Sequence, residues 1–308
     1  AVMLLIEAVP PEVAERVVRA VSIPVIGIGA GTAPHGQILV VNDLVGLSDF
    51  TPRFVEPVDY QSVIAAAPIR RAPAPDGAMD DQVLAGEVFA VLEARDGWGW
   101  GFSRAGGYVG WVDLAGFSTT VRQPDRRITA LRTYAFSKPD IKSAPRHLLS
   151  LNALVSTGAR EGRFIEAEGL GWVVEAHTGA PDDHAGDFVA VAESFLAAPY
   201  LWGGKESLGL DCSGLVQMAL RAAGIDVPRD ADQQEAALKA AWQDVTGDEA
   251  RERGDIVFWP GHVGIMVDSE HLLHANAGFM DVTLELFSEA EARIREKENP
   301  VRTIVRPL

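Results

Sequence analysis

The chain has 308 residues, of which 47% are hydrophobic and 23% are charged, and this length favours two or three folded cores. Asp and Glu outnumber Lys and Arg by 43 to 27, and the resulting net charge of −16 disfavours nucleic acids and anionic membrane surfaces as partners. The sequence has no apolar run of about 18 residues or more, so we expect a globular protein without a membrane-spanning segment.

The N-terminal region, residues 1–57, is predicted to form a βαβ fragment. Its strand LLIEAVP, helix PPEVAERVVRAV and apolar run IPVIGIGAG follow one another in that order. The stretch closely resembles the late part of ketopantoate hydroxymethyltransferase, a TIM-barrel enzyme. That resemblance places a catalytic base at Glu7, but the metal ligands of the family lie in earlier barrel strands that are not in this sequence. We therefore expect a fragment without hydroxymethyltransferase activity.

Residues 58–78 are rich in Ala and Pro and are predicted to be a linker. Two small all-β barrels are predicted next, at 79–120 and 125–178, because short apolar runs alternate with Asp-Gly and Gly turns. The segments AlaArgAspGly and GlyTrpVal recur in the second barrel as AlaArgGluGly and GlyTrpVal. Through its DGW and GYVGWV segments this region resembles the bacterial SH3-like domains that accompany cell-wall enzymes.

The C-terminal region, residues 186–308, reads as helices followed by strands, which predicts an α+β domain with helices packed on an antiparallel sheet. It contains Cys212, the single cysteine of the chain, which can form neither an internal disulfide nor a thiolate zinc site. Asp211 is predicted to cap a helix at 212–223, so that Cys212 lies in its first turn. A thiolate would be stabilised there by the helix dipole.

Two histidines suit the roles of base and orienting group that a nucleophilic thiol needs. His262 begins a predicted strand, and His274 lies twelve residues later in the next strand. Adjacent antiparallel strands can bring two such side chains together on one face. Taken singly, a buried cysteine or a strand histidine is as readily explained by packing.

Six segments together resemble the NlpC/p60 family of cysteine peptidases, whose domain is papain-like: PYLWGG at 199–204, DCSG at 211–214, PRDADQQ at 228–234, RGDIVFW at 253–259, GHVGIMV at 261–267 and LLHANA at 272–277. The resemblance implies Cys212 as nucleophile, His262 as general base and acid, and His274 as the orienting residue. The remaining histidines match nothing in the family pattern and are expected at the surface: His35, His147, His177, His184 and His271.

The resemblance also implies hydrolysis of the γ-D-glutamyl bond to a diamino acid in peptidoglycan-derived peptides, without metal or cofactor. It implies that Tyr200, Asp211 and Ser213 bind the free amine of an N-terminal L-alanine and that Trp202 forms part of the pocket wall. Arg229 and Asp230 follow the family pattern and are expected to anchor a loop. Tyr108 and Trp111 of the first barrel are candidates for closing the pocket.

Two other functions remain open at this point: a secreted or periplasmic hydrolase of the intact wall, and a wall-binding protein without catalysis. The sequence contains no recognisable signal peptide, which favours a cytoplasmic location, whereas a trimmed N-terminus would allow a periplasmic one. The expected partners are peptidoglycan-derived peptides, and the sequence does not indicate an oligomeric state.

Overall fold

The computed structural model describes residues 3–7, 9–28, 34, 36–37, 57–247, 250–297 and 300–308. They form four consecutive units: an N-terminal parallel sheet, two all-β barrels and a C-terminal α+β domain. This order confirms the predicted fold class. Among the described residues, no helix is both long enough and apolar enough to cross a membrane.

The N-terminal unit is a parallel βαβ arrangement, as predicted, with a short third strand. Its elements are β1 Leu4–Glu7, α1 Pro11–Ala20, β2 Val25–Ile28 and β3 Gly36–Gln37. Strand β1 pairs in parallel with β2, and β2 with β3. Helix α1 buries Ala14, whereas Met3, Leu5 and Val13 are 57%, 53% and 38% exposed, so the apolar surface of this unit is only partly covered. His35 and most of residues 29–56 lie outside the described part of the chain.

The first barrel is one seven-stranded sheet. Its strands are β4 Val58–Ser62, β5 Ala66–Arg70, β6 Met79–Leu84, β7 Val88–Arg95, β8 Trp98–Ser103, β9 Val109–Asp113 and β10 Phe117–Ser118. Their order in the sheet is β10-β4-β7-β8-β9-β5-β6. The interior is built on alternating apolar positions, including Ala67, Ile69, Val83, Phe89 and Val112.

The predicted linker at 58–78 is wrong, because it contains two strands of this barrel. Strand β4 pairs with β7, and β5 pairs with β6 and β9. The prolines that suggested a linker lie mostly outside the strands: Pro57 precedes β4, and Pro73 and Pro75 occupy the turn between β5 and β6. Only Pro68 lies within a strand, where proline is tolerated if its missing N–H faces away from a ladder bond.

The second barrel combines a five-stranded and a three-stranded sheet. Its strands are β11 Arg126–Ile128, β12 Arg132–Phe136, β13 Pro145–Ser150, β14 Leu154–Val155, β15 Thr157–Glu161, β16 Phe164–Ala167, β17 Gly171–Val174 and β18 Thr178–Gly179. Its interior is a separate cluster that includes Ile128, Leu149, Ile165 and Val173. The two barrels meet where the N–H of Leu154 donates to the carbonyl of Ala85 at 2.8 Å.

The C-terminal domain packs helices on a six-stranded antiparallel sheet of order β21-β26-β22-β23-β24-β25. Its elements are α2 Phe188–Glu193, β19 Lys205–Glu206, β20 Gly209–Leu210, α3 Cys212–Ala222, α4 Ala231–Ala241, β21 Gln243–Asp244, β22 Ile256–Trp259, β23 His262–Met266, β24 His271–Asn276, β25 Asp281–Leu286, α5 Phe287–Lys297 and β26 Thr303–Arg306. Helix α3 is central, since it is buried over almost its whole length and packs against β23 and β24.

Gly86 provides a test of the junction between the barrels. It has φ +76°, and a Cβ atom there would lie 2.0 Å from the carbonyl oxygen of Leu154. Gly86→Ala should therefore lower the thermal stability through both backbone strain and a steric clash. Gly97 is the matched control, because it has φ +82° but nothing within 4 Å of the added atom.

We expect Gly97→Ala to cost about 1–2 kcal/mol from the left-handed backbone alone. Gly86→Ala should cost about 1–3 kcal/mol more, because the barrels must move apart. Differential scanning calorimetry of the full chain measures the difference. Equal losses of thermal stability in the two variants would show that the barrels can move apart at this junction without a loss of stability.

Candidate active site

The thiol of Cys212 lies at the first residue of α3, where the sequence predicted it. Asp211 caps the helix, and its Oδ1 accepts from the N–H of Gly214 at 2.8 Å. Position 214 needs glycine because a Cβ there would lie 2.3 Å from the carbonyl oxygen of Gly204. The segment Asp-Cys-Ser-Gly therefore combines a cap, a thiol and a close approach of the helix to the preceding loop.

The strand that carries His262 lies against this thiol. The backbone N–H groups of Val263 and Ser213 both donate to the sulfur, and Val263 directly follows His262 in β23. His262 and His274 also contact each other, with His262 Nε2 and His274 Nδ1 at 2.8 Å. The ring of His262 packs on Trp259 with the centroids 5.7 Å apart. The structure thus places the strand of His262 against the thiol and joins His262 to His274.

A carboxylate that the sequence analysis missed continues this chain of contacts. Glu285 in β25 has its Oε1 at 2.7 Å from His274 Nε2, and Arg293 of α5 donates to the same carboxylate. His274 is completely buried, and it lies opposite Thr283 in the pairing of β24 with β25. No local motif marks Glu285, because its role depends on the register between these two strands.

Burial favours the neutral forms of both the thiol and the imidazole. It raises the pKa of Cys212 to about 12, and the neighbouring Asp211 adds to the rise, although the N–H groups of Val263 and Ser213 oppose it. Burial, together with His274 and Arg293, lowers the pKa of His262 to about 3. The expected resting thiolate is therefore not supported, because desolvation outweighs the helix terminus. Burial thus favours a protonated thiol and an uncharged His262 ring before substrate binds.

Both carboxylate oxygens of Asp211 already accept hydrogen bonds from within the protein. Arg229 donates to Oδ1 at 2.9 Å and to Oδ2 at 2.7 Å, and the N–H of Gly203 donates to Oδ2 at 2.8 Å. The same guanidinium donates to Ser213 Oγ at 2.7 Å and to Asp81 of the first barrel at 2.8 Å. Arg229 is the loop anchor that the sequence predicted, and it also links two domains.

A cavity of about 500 Å³ opens onto the thiol between the first barrel and the C-terminal domain. Its wall contains the predicted residues Tyr200, Trp202, Asp211, Cys212 and Ser213, together with Asp230. The first barrel contributes Arg71, Asp80 and Tyr108, and the remaining wall comes from Arg229, Ala231, Asp232, Pro260, Gly261 and Arg302.

Of the two aromatic candidates for closing the cavity, Tyr108 lines it and Trp111 does not. Trp111 stacks under the guanidinium of Arg95, 4.7 Å from the ring centroid. The hydroxyl of Tyr108 hydrogen-bonds to Asp230. Trp202 is 63% exposed, and its Nε1 lies 3.4 Å from Asp80, so this contact also joins the two domains.

Among the described residues, the cavity wall contains no histidine; His262 directly follows the wall residues Pro260 and Gly261. His177 contacts Thr133 at 2.8 Å in the second barrel, and His271 pairs with Asp268 at 3.0 Å. In the part of the chain that the structure describes, no group of three His, Cys, Asp or Glu side chains is arranged to hold a metal ion.

Comparison with known proteins assigns the units that carry this site. Residues 197–293 match the model of the NlpC/P60 family. This range contains Cys212, both histidines and Glu285. The C-terminal domain belongs to the NlpC/P60 family. Residues 69–117 match the bacterial dipeptidyl-peptidase Sh3 domain, and residues 1–69 match ketopantoate hydroxymethyltransferase, a range that overlaps the first two barrel strands.

Similar proteins share parts of this arrangement. Dipeptidyl-peptidase 6 of Lysinibacillus sphaericus is 32% identical over 133 residues, which are 43% of this chain and 48% of that protein. The chain thus spans about half the length of that relative. An NlpC/P60 family protein from Bacillus cereus ATCC 10987 has a TM-score of 0.68 at 16% identity, covers 81% of this chain and 99% of its own, and shows the same fold.

The N-terminal unit has relatives of a different kind. The 3-methyl-2-oxobutanoate hydroxymethyltransferase 2 of Pseudomonas entomophila is 51% identical over 73 residues, which are 21% of this chain and 27% of that enzyme. This similarity ends before the NlpC/P60 domain begins, so it concerns neither Cys212 nor the two histidines.

The protonation state of Cys212 can be tested by alkylation, since the NlpC/P60 thiol is the single cysteine of the chain. With a pKa raised to about 12 by burial, the thiolate fraction at pH 7 is smaller than in a free cysteine and grows as the pH rises. We therefore expect the rate of carboxamidomethylation, followed by mass spectrometry, to increase steadily between about pH 6 and pH 10.

Free cysteine is the reference in the same alkylation series. An alkylation rate that is already constant below about pH 7 would contradict a neutral Cys212 thiol and a neutral His262 ring. It would show that the proton passes from the thiol to His262 before any substrate binds.

Proposed function

We propose that the NlpC/P60 domain and the first barrel form a cysteine peptidase. It hydrolyses the γ-D-glutamyl bond to a diamino acid in peptidoglycan-derived peptides with a free N-terminal L-alanine. The observation that carries the proposal is the position of Cys212, at a helix start beside the His262–His274 pair and at the wall of a cavity. A thiol with an adjacent base and an orienting group is the arrangement that nucleophilic catalysis requires.

The reaction follows from these contacts. As the thiol proton passes to His262, the sulfur of Cys212 attacks the γ-glutamyl carbonyl and forms a tetrahedral adduct. Backbone N–H groups at the start of α3 stabilise its oxyanion. His262 then donates the proton to the departing amine of the diamino acid and leaves a thioester. His262 then removes a proton from water as the water oxygen attacks the thioester carbonyl. The C–S bond breaks, L-Ala-D-Glu is released, and the proton returns from His262 to the sulfur of Cys212.

The cavity supports the preference for a free amine, because it carries several carboxylates. Asp230 is half-buried, and burial raises its pKa, with the nearby Asp232 adding to the rise. The positive charge of Arg229 opposes this rise of the pKa, and a substrate ammonium would add a second positive charge beside the carboxylate. Asp211 serves this purpose less well, because Arg229 and backbone N–H groups already occupy both of its oxygens.

The first barrel supports a small substrate rather than an intact wall polymer. Arg71, Asp80 and Tyr108 close one side of the cavity, and a chain that is amide-linked at its alanine must extend past them. The relative named dipeptidyl-peptidase 6 and the match to the bacterial dipeptidyl-peptidase Sh3 domain agree with this proposal.

Incubation with L-Ala-γ-D-Glu-diamino acid tests the activity. The wild-type protein should release L-Ala-D-Glu and the diamino acid, and Cys212→Ala should release neither, because no other thiol is present. Mass spectrometry of the products gives the result. His262→Ala should lose activity as well, whereas His271→Ala should retain it, since the ring of His271 pairs with Asp268 and lies outside the His262–His274 contact.

Equal product from Cys212→Ala and wild type, or no product from either, would reject the proposed peptidase. Clearing of a suspension of purified cell walls by the wild-type protein would instead favour a hydrolase of the intact wall.

The role of Asp230 can be separated from catalysis with two substrates. Asp230→Asn keeps the shape of the side chain but removes the charge that we assign to amine binding. We expect kcat/KM for the free tripeptide to fall about 10-fold or more, which is the loss of one charge-assisted contact. For the N-acetylated tripeptide the variant and the wild type should differ little. An equal loss on both peptides would indicate a structural role for Asp230.

A further inference from the structure

We infer that Glu285 is a positioning residue that sets the tautomers of both active-site histidines and so decides which nitrogen of His262 acts as the base. The inference rests on the proposed function, since it concerns the base of that reaction. It is carried by a continuous series of contacts: His262 Nε2 to His274 Nδ1 at 2.8 Å, and His274 Nε2 to Glu285 Oε1 at 2.7 Å.

The proton positions follow from the carboxylate end of this series. An ionised carboxylate can only accept, so Nε2 of His274 must carry a hydrogen. In a neutral imidazole the other nitrogen is then an acceptor, and Nδ1 of His274 receives the hydrogen of His262 Nε2. His262 is thereby left with a bare Nδ1, which is the nitrogen available to take the thiol proton.

Glu285 is held in the ionised state that this argument needs. Burial works against its charge, but hydrogen bonds from His274 and Arg293 outweigh burial and keep the pKa of Glu285 below its usual range. Arg293 comes from α5, which directly follows the strand that carries Glu285. The guanidinium also lies over the ring of Phe279, 5.1 Å from its centroid, and this contact limits its movement.

The same contacts would stabilise the positive charge of His262 when it becomes an imidazolium during the reaction. The new positive charge arises on a half-buried ring, and these contacts connect it to a counter-charge through His274 to Glu285. His274 is fully buried, so water does not screen this interaction. Without the carboxylate, His274 could adopt the opposite tautomer, and its Nδ1–H would then donate to the Nε2 of His262. The hydrogen of neutral His262 would move to Nδ1, which could no longer take the thiol proton.

Glu285→Gln tests the inference, because an amide can donate as well as accept and no longer imposes one tautomer. We expect kcat for the tripeptide to fall about 10- to 100-fold with KM little changed, as for other residues that orient a functional histidine. Glu291→Gln is the matched control. It removes a carboxylate that pairs with an arginine of the same helix, Arg295, at a place that does not touch the histidines.

A second variant, His274→Asn, distinguishes a role of Glu285 in orienting the histidines from a role in stabilising the fold. In His274→Asn the ring is absent, and an asparagine amide can hold His262 without help from Glu285. Adding Glu285→Gln to that variant should leave kcat almost unchanged. An equal fall in both backgrounds would mean that Glu285 only anchors α5 to the sheet, and the inference would be overturned.

Nitrogen-15 spectra of the histidine-labelled full chain give a readout that does not depend on activity. In the wild type, His262 and His274 should both be protonated on Nε2 and bare on Nδ1, and Glu285→Gln should mix the two forms. Protonation of His274 on Nδ1 in the wild type overturns the inference even if the variant does not fold. If the wild type shows the expected tautomers but cleaves no tripeptide, the proposed function fails and the inference stands.

Discussion

The guanidinium of Arg229 is the contact on which the active site depends. It binds the carboxylate that caps the catalytic helix, the hydroxyl of Ser213, the carbonyl of Gly204 and a carboxylate of the first barrel. Arg229 and Asp81 are both almost fully buried, so neither charge has water as an alternative partner. Removing one member of such a pair typically costs about 3–5 kcal/mol, because the other remains charged and unpaired.

Around Arg229 a larger ionic cluster joins the same two units. Lys205 lies 3.2 Å from Asp81, and Arg221 of the catalytic helix pairs with the buried Glu87. Because these charges satisfy one another only when the barrel and the peptidase domain are docked, they specify one relative position. The cavity depends on that position, since Asp80 and Tyr108 reach it from the barrel side. The shape of the cavity therefore depends on how the two domains dock.

The parts of the site that lie within short segments could be predicted from the sequence. Asp211, Cys212 and Gly214 lie within one turn of helix, and His262 and His274 lie on neighbouring strands, so spacing and periodicity suggested the grouping. The resemblance to the NlpC/p60 family supplied the roles. Glu285 escaped prediction because its role depends on the register of β25. The pair of Asp81 and Arg229 escaped it because the two residues are 148 positions apart.

Two expectations failed because a local signal was weaker than the tertiary structure. Pro57, Pro73 and Pro75 suggested a linker, but they lie beside the strands β4 and β5 rather than within them. The helix start at Cys212 suggested a thiolate, but burial under β23 favours the neutral thiol. In both cases the outcome was decided by a contact with a distant part of the chain, which the local sequence does not show.

The buried charges between the first barrel and the peptidase domain also restrict how such proteins can be assembled by recombination. A barrel that brings no acidic groups at the positions of Asp81 and Glu87 would leave Lys205 and Arg221 without these partners and Arg229 with Asp211 alone. Either unit can therefore be replaced only by one that supplies matching charges at this junction.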